Sequence, residues 1–271
     1  MEADHGQLRR RHDRRRLPAA GRGGHDEPPR VHGQPAARGI PGAGLRPLGG
    51  DQPDDGRRLP TLTRIFLVRH ADVENPQRVL YGYLPDFHLS ALGRAQSAAL
   101  GERLRPAGLT RIVSSPLVRA RETAEVIAEK LTPPPALETD SDLREAEFSR
   151  YLQGVPYWQV PVRRPLWLVH KARRGLLPGD ESIEVLGERV LRVARLLARR
   201  HPGEAMAVVS HADPLNAAWI LLDGRPHSER EMHRKSIGKA GMLQVDMEGE
   251  TPKAWEYIPP PPIAKPASAA A

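Results

Sequence analysis

Arg64-Ile65-Phe66-Leu67-Val68-Arg69-His70 decides the fold. Its four successive apolar residues are too few for a helix and rich in β-formers, so the run reads as a strand buried on both faces. Strands of that kind belong to parallel sheets covered by helices on either side. The sequence downstream keeps alternating in the way such a sheet requires. Ser90 caps a helix to about residue 105, with Leu92, Ala95, Ala99 and Leu104 on one side and Pro106 and Gly108 at its end. Ile112-Val113-Ser114 is a second short strand. A helix follows over 116–131, with Pro116 near its first turn and Pro133-Pro134-Pro135 beyond it. A third helix begins at Asp180 and runs to Arg200, carrying Ile183, Leu186, Val190, Val193 and Leu197 at helical spacing. Residues 205–209 form a third buried strand, with a helix over 214–222 behind it. Residues 146–180, with Trp158, Trp167 and four prolines, read as an irregular insertion whose tryptophans plug onto the core. The pattern predicts an α/β three-layer sandwich, a mostly parallel sheet with helices on both faces.

The flanks differ from this core. The first 60 of the 271 residues contain 11 Gly and 8 Pro and no aromatic residue, too little apolar surface to offset chain entropy. They read as a disordered Arg/Gly/Pro-rich segment, and 259–271 as a disordered Pro/Ala-rich tail, leaving one folded domain over 61–258. No apolar core of a secretory signal is present in the head and no stretch approaches the ~20 apolar residues of a membrane span, so a cytoplasmic location is expected. Cysteine is absent, which excludes disulfides, thiol nucleophiles and thiolate metal sites. The net charge of +8 comes mainly from arginine, 35 of the 41 basic residues. A nucleic-acid partner is not expected, save through the Arg-rich head.

In a parallel sheet the ligand sits outside the carboxyl ends of the strands. Those ends carry Arg69-His70, Ser114-Ser115 with Arg119 and Arg121 a turn later, and Ser210-His211. Arginine presents a planar fork matched to phosphate oxygens, and a neutral imidazole is a competent nucleophile toward a phosphoryl group. The chemistry indicated is attack on a phosphate monoester inside a cationic cradle. No G-x-S-x-G, P-loop or G-x-G-x-x-G motif competes. Arg121 reads equally as a pocket residue and as an i,i+4 partner of Glu125. Ser114 and Ser115 read as turn and capping residues, and Gln96 as a residue holding a loop. Tyr81, Tyr83 and Gln77 read as substrate contacts or as loop packing. His88, His170, His201, His227 and His233 read as surface or loop residues.

Leu67-Val68-Arg69-His70 and residues 89–96, LSALGRAQ, resemble the opening blocks of the histidine phosphatase superfamily, the phosphoglycerate mutase-like family. Residues 114–124, SSPLVRARETA, are similar to its next block, Leu143-Arg144-Glu145 to its acid-bearing block and Val208-Val209-Ser210-His211 to its last. The resemblance implies that His70 is the nucleophile, that Arg69, Arg119 and His211 complete the phosphate pocket, and that Glu145 is the general acid and base. It assigns Asn75 as a substrate contact and implies neither metal nor other cofactor. Spacing alone does not choose Glu145 over Glu138, Asp142 or Glu147. Three positions depart from the family: Ala71 stands where Gly usually follows the nucleophile, and Ala212-Asp213 replace glycines after His211. The expected activity is a metal-independent phosphomonoesterase acting on a small phosphorylated metabolite through a phosphohistidine. The alternatives are a cofactor-dependent phosphoglycerate mutase and a non-catalytic protein that binds a phosphorylated ligand.

Overall fold

A computed structural model describes residues 62–263. The head assigned to 1–60 lies outside the described residues, as does the tail from 264 onward. The strands are β1 (Leu62–Arg69), β2 (Leu109–Ser114), β3 (Ala136–Thr139), β4 (Ala205–Ser210), β5 (Met242–Glu248) and β6 (Thr251–Ile258). They form one sheet in the order β3-β2-β4-β1-β5-β6. The pairs β1–β4, β2–β4 and β2–β3 are parallel, whereas β1–β5 and β5–β6 are antiparallel. The sheet is therefore mixed and mostly parallel, with helices on both faces.

Strand alternation sorts the core into two layers. Ile65, Leu67, Met206 and Val208 pack with residues of α6 (Ile183–Arg200) and α7 (Ala212–Leu222). Phe66, Val68, Ala207 and Val209 face the other way, onto α1 (Ala91–Leu104) and α2 (Val118–Ala128). Because both faces of β1 and β4 are covered, their central residues are fully buried, which explains why these strands read as unbroken apolar runs.

Several expectations need correction. Strands β3, β5 and β6 were absent from the sequence reading. All four residues of β3 are exposed, so no apolar run marks it. The β5–β6 pair is a hairpin turning at Gly249-Glu250, with Gly249 at φ +55°, a conformation glycine adopts without penalty. The helix expected from Asp180 begins at Ile183, because Ser182 supplies the cap by accepting from Val185 N–H. The 116–131 helix is confined to α2, and residues 115–117 instead form the turn that leads into it. The insertion is more ordered than expected. It contains the short helices α3 (Ser149–Leu152), α4 (Val160–Arg163) and α5 (Leu166–Ala172). Trp158 does not plug the core: it is 79% exposed.

Candidate active site

The sheet order places the C-terminal ends of β2, β4 and β1 side by side. His70 N–H donates to Ser210 O (2.9 Å) and Ser115 N–H to Val209 O (2.9 Å), so each of these residues continues the ladder one step past its strand. His211 follows Ser210 directly and begins α7. The imidazoles of His70 and His211 consequently lie with ring centroids 5.2 Å apart, both buried.

The His70 ring is oriented by its own loop. Its Nδ1 lies 2.8 Å from Ala71 O. A carbonyl only accepts, so Nδ1 carries the proton and Nε2 presents a lone pair. Burial, reinforced by Arg119 and Arg69, holds the ring well below the usual histidine range and keeps it neutral. The backbone at Ala71 has no positive φ, so the substitution of the usual glycine is accommodated without strain. Ala71 N–H donates to Thr123 Oγ1, and Asp72 N–H to Gln96 Oε1, which is the loop-holding part expected of Gln96. The 72–73 backbone lies so close to α1 that a Cβ on Gly93 would fall 2.0 Å from Asp72 O. This gives a steric reason for glycine in the LSALGRAQ block.

Arg119 is wholly buried at the start of α2. Its Nη2 donates to Gly82 O (3.0 Å), while Nε and Nη1 find no partner among the described residues. Burying a guanidinium with donors unmet is costly, and an anion that accepts from them offsets the cost. Arg69 donates from Nη1 to Ile237 O (2.8 Å), and its Nε too has no partner among the described residues. His211 Nε2 is 2.8 Å from Ser115 Oγ, and its Nδ1 has no partner among the described residues. Burial, with Arg119, holds this ring neutral too. Glu145 accepts from Ala146 N–H (2.9 Å). Burial pushes its carboxyl up to about 7, helped by the charge of Asp213 and opposed by Arg119.

Five of the six assigned residues thus share one electrostatic environment: His70, His211, Arg69, Arg119 and Glu145. Asn75 does something else. Its amide donates to Val79 O (2.8 Å) and accepts from Val79 N–H (3.1 Å), closing its own loop. Arg121 is exposed and forms no ion pair with Glu125 among the described residues. Three further residues, named from the sequence without a fixed part, meet the site. Ser115 bonds His211. Tyr81 lies under the Arg119 guanidinium, 4.8 Å from carbon to ring centroid, and 6.4 Å from the His70 ring. Tyr83 donates from its hydroxyl to Glu145 O (2.6 Å). Only their place between the first two blocks hinted at the tyrosines. His170, expected at the surface or in a loop, is buried in α5 against Phe148 and donates from Nδ1 to Asp180 (2.8 Å). Among the described residues, no group of three or more His, Asp or Glu side chains is arranged to hold a metal, and no helix is long and apolar enough to cross a membrane.

The chain belongs to the histidine phosphatase superfamily (branch 1), whose family model matches residues 65–257. It is 35% identical over 200 residues to the uncharacterized protein Rv0525 of Mycobacterium tuberculosis, a match spanning 71% of this chain and 94% of that one. It is 31% identical over 170 residues to a probable phosphoglycerate mutase, GpmB, of Salmonella newport, covering 61% of this chain and 77% of the relative. In structure it is similar to Bacillus stearothermophilus YhfR (TM-score 0.62, 22% identity, 70% of this chain and 94% of that one). It is also similar to the mycobacterial glucosyl-3-phosphoglycerate phosphatase Rv2419c (TM-score 0.60, 24% identity, 73% and 99%). At those identities the structural likeness establishes the fold. Phosphatases and mutase-like proteins surround the chain, and a phosphoryl-transfer enzyme is the class they define.

Proposed function

We propose that the protein is a phosphomonoesterase that hydrolyses a small phosphorylated metabolite through a phosphohistidine at His70. The observation that carries this reading is the buried, neutral His70 ring, with Nδ1 committed to Ala71 O, beside a buried Arg119 whose Nε and Nη1 are unmet. His70 Nε2 attacks phosphorus as the ester P–O bond breaks. Arg69, Arg119 and His211 take up the charge on the equatorial oxygens. Protonated Glu145 gives its proton to the departing alkoxide, then as carboxylate removes one from the water that splits the P–N bond. Inorganic phosphate leaves and the neutral imidazole returns.

Hydrolysis of p-nitrophenyl phosphate with EDTA present, abolished in His70→Ala, is the expected result. Activity unchanged in His70→Ala would refute the mechanism. Rapid interconversion of 3-phosphoglycerate and 2-phosphoglycerate, outpacing phosphate release, would select the mutase instead.

A further inference from the structure

Asp213 stands two residues beyond His211, in the first turn of α7, beside a site built to attract an anion. A carboxylate there opposes phosphate binding unless it has separate work. Arg174, from the insertion, donates from Nη2 to Asp213 Oδ2 (2.7 Å) and from Nε to Glu229, with its side chain only 4% exposed. Glu229 belongs to α8 (Glu229–Arg234). The insertion therefore sends one guanidinium between two elements of the core, and one of its anchors is adjacent to the site.

The same face of α7 meets the segment that carries Glu145. Ala146 shares an apolar cluster with Ala217, which lies one helical turn from Asp213 on that face. Ser210 Oγ donates to Leu143 O (2.7 Å), tying the end of β4 to the residues just before Glu145. The charges that bear on the Glu145 carboxyl are those of Asp213 in α7, Arg119 in α2 and Arg69 at the end of β1. Asp213 is faced by Arg174, Lys171 and His170 from the insertion.

We propose that Asp213 is a positioning residue that acts through its charge to keep Glu145 protonated, and that Arg174 of the insertion holds it in place. The catalytic meaning of this rests on the phosphohistidine reading above. Burial is the main reason the Glu145 carboxyl is raised to about 7, and a negative charge nearby disfavours its ionisation further, so near neutral pH a share of Glu145 keeps a proton for the leaving group. Burial opposes ionisation of Asp213, but Arg174, Lys171 and His170 together outweigh it, so the charge stays on Asp213. The Asp213 side chain is 34% exposed, so water screens part of its field and the effect is modest.

Two readouts on the full chain test this. The Glu145 carboxyl is followed by 13C NMR, assigned with Glu145→Gln. In parallel, the alkaline limb of kcat/KM is measured with an alkyl phosphate, whose alkoxide cannot leave without a proton. Asp213→Asn is expected to move the Glu145 midpoint and the limb to lower pH by roughly half a unit or more. Asp213→Glu, which keeps the charge, is expected to restore both. A Glu145 midpoint unmoved by Asp213→Asn overturns the proposal. So does an ordinary carboxylate midpoint in the unsubstituted protein, a measurement that needs no variant to fold. A displaced midpoint in a protein that turns over no phosphoester sinks the phosphohistidine reading and leaves the Asp213–Glu145 coupling standing.

Discussion

The backbone N–H of Ala71 donates to Thr123 Oγ1 across 3.1 Å, and that hydroxyl in turn donates to Arg119 O (2.7 Å). One side chain thereby couples the loop after His70 to the helix that carries Arg119. Thr123→Val keeps the shape and removes the acceptor, leaving a buried N–H unmet at a cost of roughly 1–3 kcal/mol. Denaturant titration should show that loss. Because His70 and Arg119 lose their common tie, kcat/KM should fall on the order of tenfold or more.

Gly93→Ala offers a test whose sign runs against helix propensity. Alanine is favoured over glycine inside a helix by about 1 kcal/mol, yet here its Cβ would meet Asp72 O at 2.0 Å, and backbone gives way poorly. Net destabilisation of about 1–3 kcal/mol is expected, read as a lower thermal midpoint. A raised midpoint would show that the loop after His70 is free to retreat from α1.

Inorganic phosphate should raise the thermal midpoint, by the equivalent of about 2.7 kcal/mol at a hundredfold excess over its dissociation constant. In Arg119→Met that rise should vanish, while the ligand-free midpoint holds or increases, since a buried cation with unmet donors has been removed. Calorimetry with and without phosphate separates the two effects. Loss of ligand-free stability with the phosphate response intact would contradict the assignment of Arg119.

Glu145 carries a pH signature in stability as well as rate. Its carboxyl is raised to about 7 in the folded chain from an ordinary value near 4.5, so the native state holds the proton more tightly than the unfolded state. That contribution is complete below about pH 4 and is lost as pH rises through 7, amounting to roughly 3 kcal/mol at most. Glu145→Gln should therefore match the parent protein at pH 4 and exceed it in thermal midpoint at pH 8, with turnover of alkyl phosphates lost. An equal midpoint difference at both pH values would show that Glu145 is an ordinary carboxylate.

What the sequence revealed followed from burial and order. The runs at 64–69, 112–114 and 205–209 were legible because strands covered on both faces are apolar through their centres, and their ends led directly to His70 and His211. Arg69, Arg119 and Glu145 were named through the ordered blocks, and the structure gathers them with the histidines. The hairpin went unread although β5 alternates buried and half-buried residues, since β6 is an edge strand with little apolar signal. Asn75 was assigned to substrate by resemblance alone, and its amide is engaged with the Val79 backbone in its own loop, a tie that no block records. His170 was misjudged because a ring stacked on Phe148 and bonded to Asp180 depends on how the insertion folds back, which no local spacing records. Ser115 looked like a turn residue and is one, accepting from Leu117 N–H through its Oγ while also meeting His211.

The amides of His70 and Ser115 are locked to the backbone of β4 at the centre of the sheet. Their hydrogens can be traded with solvent only when those central strands separate, which is the largest opening the domain undergoes. Deuterium uptake at these two positions should accordingly be as slow as at Val68 or Val208. The backbone that carries the His70 ring is thus denied the local breathing usual at a ligand site, and motion near that ring must come from the insertion and the loops above it.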